Sequence, residues 1–153
     1  MPSKARGPLQ ASGLFLLILP LVFLSACSKD EVATGNVLGP STGPRVDESV
    51  LALEVLAGAP VGITSIFERT DVVHLWVRWA NLVPPHQAEA VWFNPSANEV
   101  ASSVVSIDTG PSNQVTDFRL ELNAGSTYGR WQVLLYLDGA LQRGHVFDVV
   151  DVP

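Results

Sequence analysis

The chain has 153 residues, fifteen of them acidic and nine basic, for a formal net charge of −6, and its one cysteine is Cys27. That length is enough for one domain with its own core, and an acidic, unpatterned charge argues against nucleic acid and against a basic patch for anionic headgroups. A lone cysteine excludes an intrachain disulfide, so the domain has to be held by packing alone.

Residues 1–26 divide into recognisable parts. Lys4 and Arg6 are their only charges, Leu14 to Leu24 is apolar except for Pro20, and Ser25 and Ala26 precede Cys27. A positive start, a short apolar centre and small residues before a cut are the layout of a secretory signal. The apolar run from Gly13 to Leu24 is 12 residues, whereas a membrane-spanning helix needs about 20. The alternative is an uncleaved anchor with a buried, inert cysteine.

Leu24-Ser25-Ala26-Cys27 resembles the lipobox of bacterial lipoproteins. The resemblance implies cleavage between Ala26 and Cys27, a diacylglycerol thioether on the Cys27 sulfur, and often a third acyl chain on the new amino terminus. Each buried methylene contributes about 0.8 kcal/mol, so one chain binds marginally and two or three bind durably. The expected partner of this end of the molecule is therefore a lipid bilayer. Ser28 stands where an inner-membrane retention signal commonly has Asp, which favours the outer membrane in a Gram-negative source. Removing the leader takes two basic residues and no acids, leaving a net charge of −8.

Residues 27–49 read as the lipidated terminus and a tether. Gly35, Gly39, Pro40, Ser41, Thr42, Gly43 and Pro44 supply few large apolar groups, too few to offset chain entropy by burial. The domain is expected over 50–153. Val50 to Leu56 fits either a strand or a helical turn, since Leu51, Leu53 and Val55 alternate after Asp47 and Ser49. Ile63, Ile66 and Phe67 form one short β run. Asp71 to Ala80 is the strongest strand: Val73, Leu75, Val77 and Trp79 alternate with His74, Trp76 and Arg78. Pro84-Pro85 breaks it.

Ala88–Phe93, stopped by Asn94-Pro95, and Val100–Ile107, stopped by Asp108 to Pro111, are the next strands. Val115–Leu122 follows. Arg130–Leu137, with Trp131, Val133, Leu135 and Leu137 in alternation, then pairs with Leu141–Val150 through Asp138-Gly139, a type I′ hairpin signal. Six or seven short strands, regular turns and no long helical pattern predict an all-β, single antiparallel sandwich. The expected register pairs Asp71–Ala80 with Ala88–Phe93: Trp79 opposite Ala88, Val77 opposite Ala90, Leu75 opposite Trp92, Arg78 opposite Glu89 and Trp76 opposite Val91.

Trp92-Phe93-Asn94-Pro95, Gly129-Arg130-Trp131-Gln132-Val133 with its following hairpin, and Phe147-Asp148-Val149 resemble strand ends of immunoglobulin-like and macroglobulin-like domains of bacterial envelope proteins. The resemblance covers roughly Val61 to Val150 and implies an immunoglobulin-like β-sandwich. It implies little about activity, because one fold hosts many functions. The inter-sheet cysteine pair of antibody domains is missing.

The chemical inventory is thin. His74, His86 and His145 show no H-x-x-x-H or H-x-H spacing, so no local zinc pair is written. A spatial cluster with Asp71 or Asp148 is the alternative. No G-x-S-x-G and no glycine-rich loop before a helix is present. Ser102-Ser103 sits in a strand pattern, and Glu54, Glu68, Asp71, Glu89, Glu99, Asp117 and Glu121 are dispersed as solvated charges. The expectation is no catalytic residue, no metal and no cofactor.

Trp79, Trp92 and Trp131 fall on core faces. Trp76 does not. It shares its face with His74 and Arg78 and, through the expected register, with Val91 and Phe93. That candidate interaction patch either packs under residues 50–60 or contacts a partner. The leading functional reading is a non-enzymatic envelope lipoprotein that contacts another envelope protein, by edge-strand addition or through the Trp76 face. The alternatives are a glycan- or peptidoglycan-binding module and, more weakly, a small hydrolase.

Overall fold

A computed structural model describes residues 43–151. The leader, Cys27 and the tether up to residue 42 lie outside the described residues.

Nine strands make two sheets among the described residues. They are β1 (Arg45–Leu56), β2 (Ala59–Ile63), β3 (Ile66–Glu68), β4 (Val72–Ala80), β5 (His86–Phe93), β6 (Glu99–Ile107), β7 (Gln114–Glu121), β8 (Gly129–Leu137) and β9 (Ala140–Val150). The first sheet runs β2-β1-β4-β7 and the second β3-β9-β8-β5-β6. Every pairing is antiparallel except β3 with β9. The expected all-β sandwich is therefore what forms, with more strands than the six or seven anticipated.

The two inner faces interlock. Leu75, Val77 and Trp79 of β4 and Phe118 of β7 meet Ala90 and Trp92 of β5, Val133 and Leu135 of β8 and Phe147 of β9 in one buried cluster. Phe147 is central in that layer. Its ring lies edge-on to Phe67 at 5.5 Å and to Trp92 at 6.2 Å, and stacks on Trp131 at 6.1 Å. The Trp79 indole N–H donates to Thr116 Oγ1 at 2.9 Å, which satisfies a polar atom that burial would otherwise strand.

The faces read from the alternation hold, but the expected register of β4 with β5 does not. β4 lies between β1 and β7, so Trp79 stands opposite Val46 and Gln114, and Arg78 opposite Glu48 and Val115. β5 lies between β6 and β8, so Ala88 stands opposite Val105 and Leu137, and Glu89 opposite Val104 and Tyr136. Period-2 alternation says which side of a strand points inward, but not which strand lies beside it. The connecting loop carries the chain across to the other sheet. Leu82 is buried there, and its backbone N–H donates to Ser112 O at 2.8 Å.

Two further boundaries differ. β1 starts at Arg45, inside the stretch read as tether, and Val50–Leu56 resolves as strand. Its early charges are outward pairing groups: Asp47 and Glu48 each accept from Arg78 at 2.8 Å. The run from Ile63 to Phe67 is cut in two. Thr64 N–H donates to Leu51 O of the first sheet, and the next residue, Ser65, accepts from Asp148 N–H of the second. The chain changes sheets between those two residues.

The Asp138-Gly139 hairpin forms as expected, with φ of 50° and 78° and Leu137 opposite Ala140. The Asp138 carboxylate also accepts from the Gln87 backbone N–H at 2.9 Å and from His86 Nδ1 at 2.7 Å. These bonds hold its pKa below the ordinary carboxylate value, the backbone bond most of all.

Truncating Phe147 to Ala removes a ring touched by three others. The expected loss is about 3–5 kcal/mol of unfolding free energy in urea denaturation. A loss below about 1 kcal/mol would show that the layer is not packed around this ring.

Candidate functional site

The structure divides the expected patch between two surfaces. His74, Trp76 and Arg78 point outward from β4 in the first sheet, because Val73, Leu75, Val77 and Trp79 point inward. Val91 and Phe93 point outward from β5 in the second sheet, on the opposite side of the sandwich. The patch of five is not one surface, since the register that joined it does not form.

Of the first half, His74 and Trp76 are buried and Arg78 is exposed. The β1–β2 hairpin turns at Ala57 and Gly58, with φ of 49° and 79°, and Gly58 O accepts from the Trp76 indole N–H at 2.8 Å. Trp76 is 5% exposed. The Arg78 guanidinium lies 5.8 Å from its ring. Beside it His74 Nδ1 bonds the two Asp117 carboxylate oxygens at 3.0 and 3.1 Å, and Arg119 Nε donates to the same carboxylate at 2.9 Å. Packing under residues 50–60 is what happens to this tryptophan, and the flat ring face that sugar stacking needs is not presented.

The second half belongs to a larger apolar surface. Val91 stands opposite Leu134, and Glu89 opposite both Tyr136 and Val104. Phe93 stands opposite Gln132, whose other neighbour is Val146, and Leu134 stands opposite Gly144. A Cβ on Gly144 would come within 3.1 Å of Leu134 Cδ2, so glycine there lets the leucine lie flat across the sheet. Val91, Phe93, Leu134, Tyr136 and Val146 are half-buried and Val104 is 53% exposed. Among the described residues no strand lies over this face.

At its margin β6 pairs with β5 alone, and from Val100 to Ile107 it carries no charge. Sheet edges are usually blunted by charge, proline or brevity. Beyond Glu99 at its start, this nine-residue edge has none of these.

Leu134, Tyr136, Val146 and Val104 were missed by the sequence reading. The signal that identifies them is Leu134-Leu135-Tyr136-Leu137, apolar on both faces. A strand with one face buried and one solvated alternates; β8 does not.

The three histidines go to three places. His74 meets Asp117 and His86 meets Asp138, so neither joins Asp71 or Asp148. His145 faces the space between the sheets, where its Nε2 is 2.8 Å from Ser49 Oγ. Arg143 Nη1 donates to the same hydroxyl at 3.3 Å. Burial, and then the Arg143 charge, push the His145 pKa down to about 4. No group of three His, Cys, Asp or Glu side chains is placed to hold a metal ion among the described residues.

No protein-family model matches the chain, and no curated protein does. Solved structures do match. The alkylpurine DNA glycosylase AlkC of Pseudomonas fluorescens, bound to DNA with an abasic-site analogue, superposes with a TM-score of 0.52 at 10% identity over 72% of this chain. This chain spans only 31% of that enzyme's length. An immunoglobulin-like protein of Pseudomonas aeruginosa matches over 73% of this chain and all of its own, with a TM-score of 0.50 at 11% identity. The C-terminal domain of wzt matches over 72% of this chain and 75% of its own, with a TM-score of 0.52 at 7% identity. At such identities the likeness is one of fold: the domain is an immunoglobulin-like β-sandwich.

His145 also sets a pH dependence. Its folded pKa lies below the unfolded value of 6.5, so the unfolded chain binds the proton first. The associated stability is fully present above pH 6.5 and is lost as pH falls toward 4, by up to about 3 kcal/mol. His145→Gln should remove that slope in denaturation curves measured between those pH values. An unchanged slope would contradict a buried neutral imidazole.

Proposed function

We propose that this chain is a lipid-anchored, non-enzymatic module of the bacterial cell envelope that binds another envelope protein through the outer face of its second sheet and the adjoining β6 edge. The observation that carries the reading is the doubly apolar second sheet. One of its faces fills the core, while the other sets Val91, Phe93, Leu134, Tyr136 and Val146 beside the β6 edge, which is uncharged from Val100 to Ile107. Apolar surface interspersed with a few polar side chains, here Glu89 between Tyr136 and Val104 and Gln132 between Phe93 and Val146, fits a contact site. An open edge adds main-chain hydrogen bonds that a partner strand completes.

The Leu24–Cys27 resemblance and the glycine- and proline-rich tether support the anchor. Acyl chains on Cys27 hold the domain near a bilayer, and the tether gives it reach. Ser28 favours the outer membrane if the source is Gram-negative. The fold neighbours include an immunoglobulin-like protein, which is consistent with a binding role and does not specify the partner.

Two measurements test the proposal. Mass spectrometry of the amino-terminal peptide should find an acylated Cys27 and no residues before it; a free thiol with the leader attached would refute the anchor. Capture from crosslinked membranes should recover one specific partner. Val104→Lys, at an exposed edge position, should reduce that recovery at least about tenfold by charging the edge. Val115→Lys, on the first sheet, should leave it unchanged. Equal effects of the two variants would refute the assigned surface.

A further inference from the structure

The two sheets end in four edge strands among the described residues, and three of them are protected. β2 is short and holds Pro60. β3 has three residues. β7 carries Asp117, Arg119 and Glu121. Brevity, proline and charge are what blunt an edge. β6 differs: after Glu99, the run from Val100 to Ile107 holds neither a charge nor a proline. Alternate backbone N–H and C=O groups along it point away from β5, and no strand among the described residues receives them.

The side chains of this edge leave room for a further strand. Ser102, Val104 and Ser106 stand opposite Val91, Glu89 and Gln87 on the outer face. Ala101, Ser103 and Val105 stand opposite the buried Trp92, Ala90 and Ala88, so they point into the sandwich. They are nonetheless only half-buried, as is Leu120 of β7. β6 and β7 end their sheets on the same flank, and the apolar layer reaches water between them. A strand laid beside β6 covers Ala101 and Val105 with its own inward side chains.

Charge decides what kind of strand fits. Glu99 begins β6 and Asp108 follows its last residue, so an acid stands at each end of the edge. Both are exposed, and neither has a hydrogen-bond or ion-pair partner among the described residues. A second copy paired antiparallel about the middle of β6 would bring Glu99 of each molecule close to Asp108 of the other. Like charges facing each other across a strand pair are destabilising, and each chain already carries a net charge of −6. The complement of this edge is basic at its ends and neutral between them. Next to Glu99 an open depression of about 290 Å³ is lined in part by Val100, Leu120, Leu122 and Glu121. Apolar wall with a carboxylate suits the alkyl stem and charged head of a long basic side chain.

On the basis of the partner surface proposed above, we infer that the partner contributes an extended segment, about eight uncharged residues between two basic ones, that adds to β6 as a further strand of the second sheet. Its main chain bonds the open edge, alternate side chains lie over Ala101 and Val105, and its basic ends meet Glu99 and Asp108.

The test is photo-activated crosslinking from Ser102, Val104 and Ser106, each in the full chain expressed in cells. Two paired strands advance together residue by residue. Mass spectrometry of the adducts should therefore find three attachment sites spaced two residues apart along one segment of one partner. Glu99→Lys combined with Asp108→Lys, both at exposed positions, should lower recovery of that partner at least about tenfold. Glu99→Gln combined with Asp108→Asn should lower it less. Attachment sites without a common register, or full recovery in the double lysine variant, would overturn the added strand and leave the partner surface standing. No adduct from any of the three positions would overturn the surface and the strand together.

Discussion

The aromatic layer around Phe147 is what the rest of the molecule depends on. With no disulfide available to the domain, contact between the two inner sheet faces has to hold them together. Phe147 touches Phe67, Trp92 and Trp131 at once, so one side chain links β3, β5, β8 and β9 of the second sheet in the layer that shares one buried cluster with Leu75, Val77 and Phe118 of the first. Because Phe67 and Phe147 come from strands that pair in parallel, that contact also fixes the point where the chain leaves the first sheet for the second.

The two sheets spend their outer faces differently. The first covers its tryptophan with its own hairpin and surrounds it with ion pairs, of which Arg78 with Asp47 and Glu48 is half-exposed and so contributes little to stability. Its β1–β2 hairpin leaves Leu53, Leu56, Val61 and Ile63 exposed. The second sheet carries apolar side chains outward at Val91, Phe93, Leu134 and Val146 and ends in an edge that is uncharged from Val100 to Ile107. Burial of a Val, Leu or Phe side chain contributes about 1.5–3 kcal/mol. This face therefore has more to gain from a partner than from water.

The inward faces of β4, β5, β8 and β9, the I′ hairpin and the core roles of Trp79, Trp92 and Trp131 were legible in the sequence, because alternation and turn chemistry are local. Strand adjacency was not. β4 and β5 are consecutive and complementary in size, yet the loop between them spans the sandwich, and nothing local distinguishes a hairpin from such a crossing. The split between Ile63 and Phe67 was hidden for the same reason. The candidate patch inherited the error: Val91 and Phe93 belong to the outer surface of the second sheet, whereas on the first sheet Trp76 is covered by the turn at residues 57–58 and Arg78 stays exposed. The Ser49–His145 contact joins residues 96 apart in sequence, a pairing no spacing rule finds.

The central claim is that the outer face of the second sheet is a protein-binding surface. Its most direct test places a photo-activated crosslinking amino acid at Val104 in one strain and at Val115 in another, with the full chain expressed in cells. The account predicts one discrete protein adduct from position 104 and none from position 115. Adducts of equal yield from both positions, or from 115 alone, would contradict it.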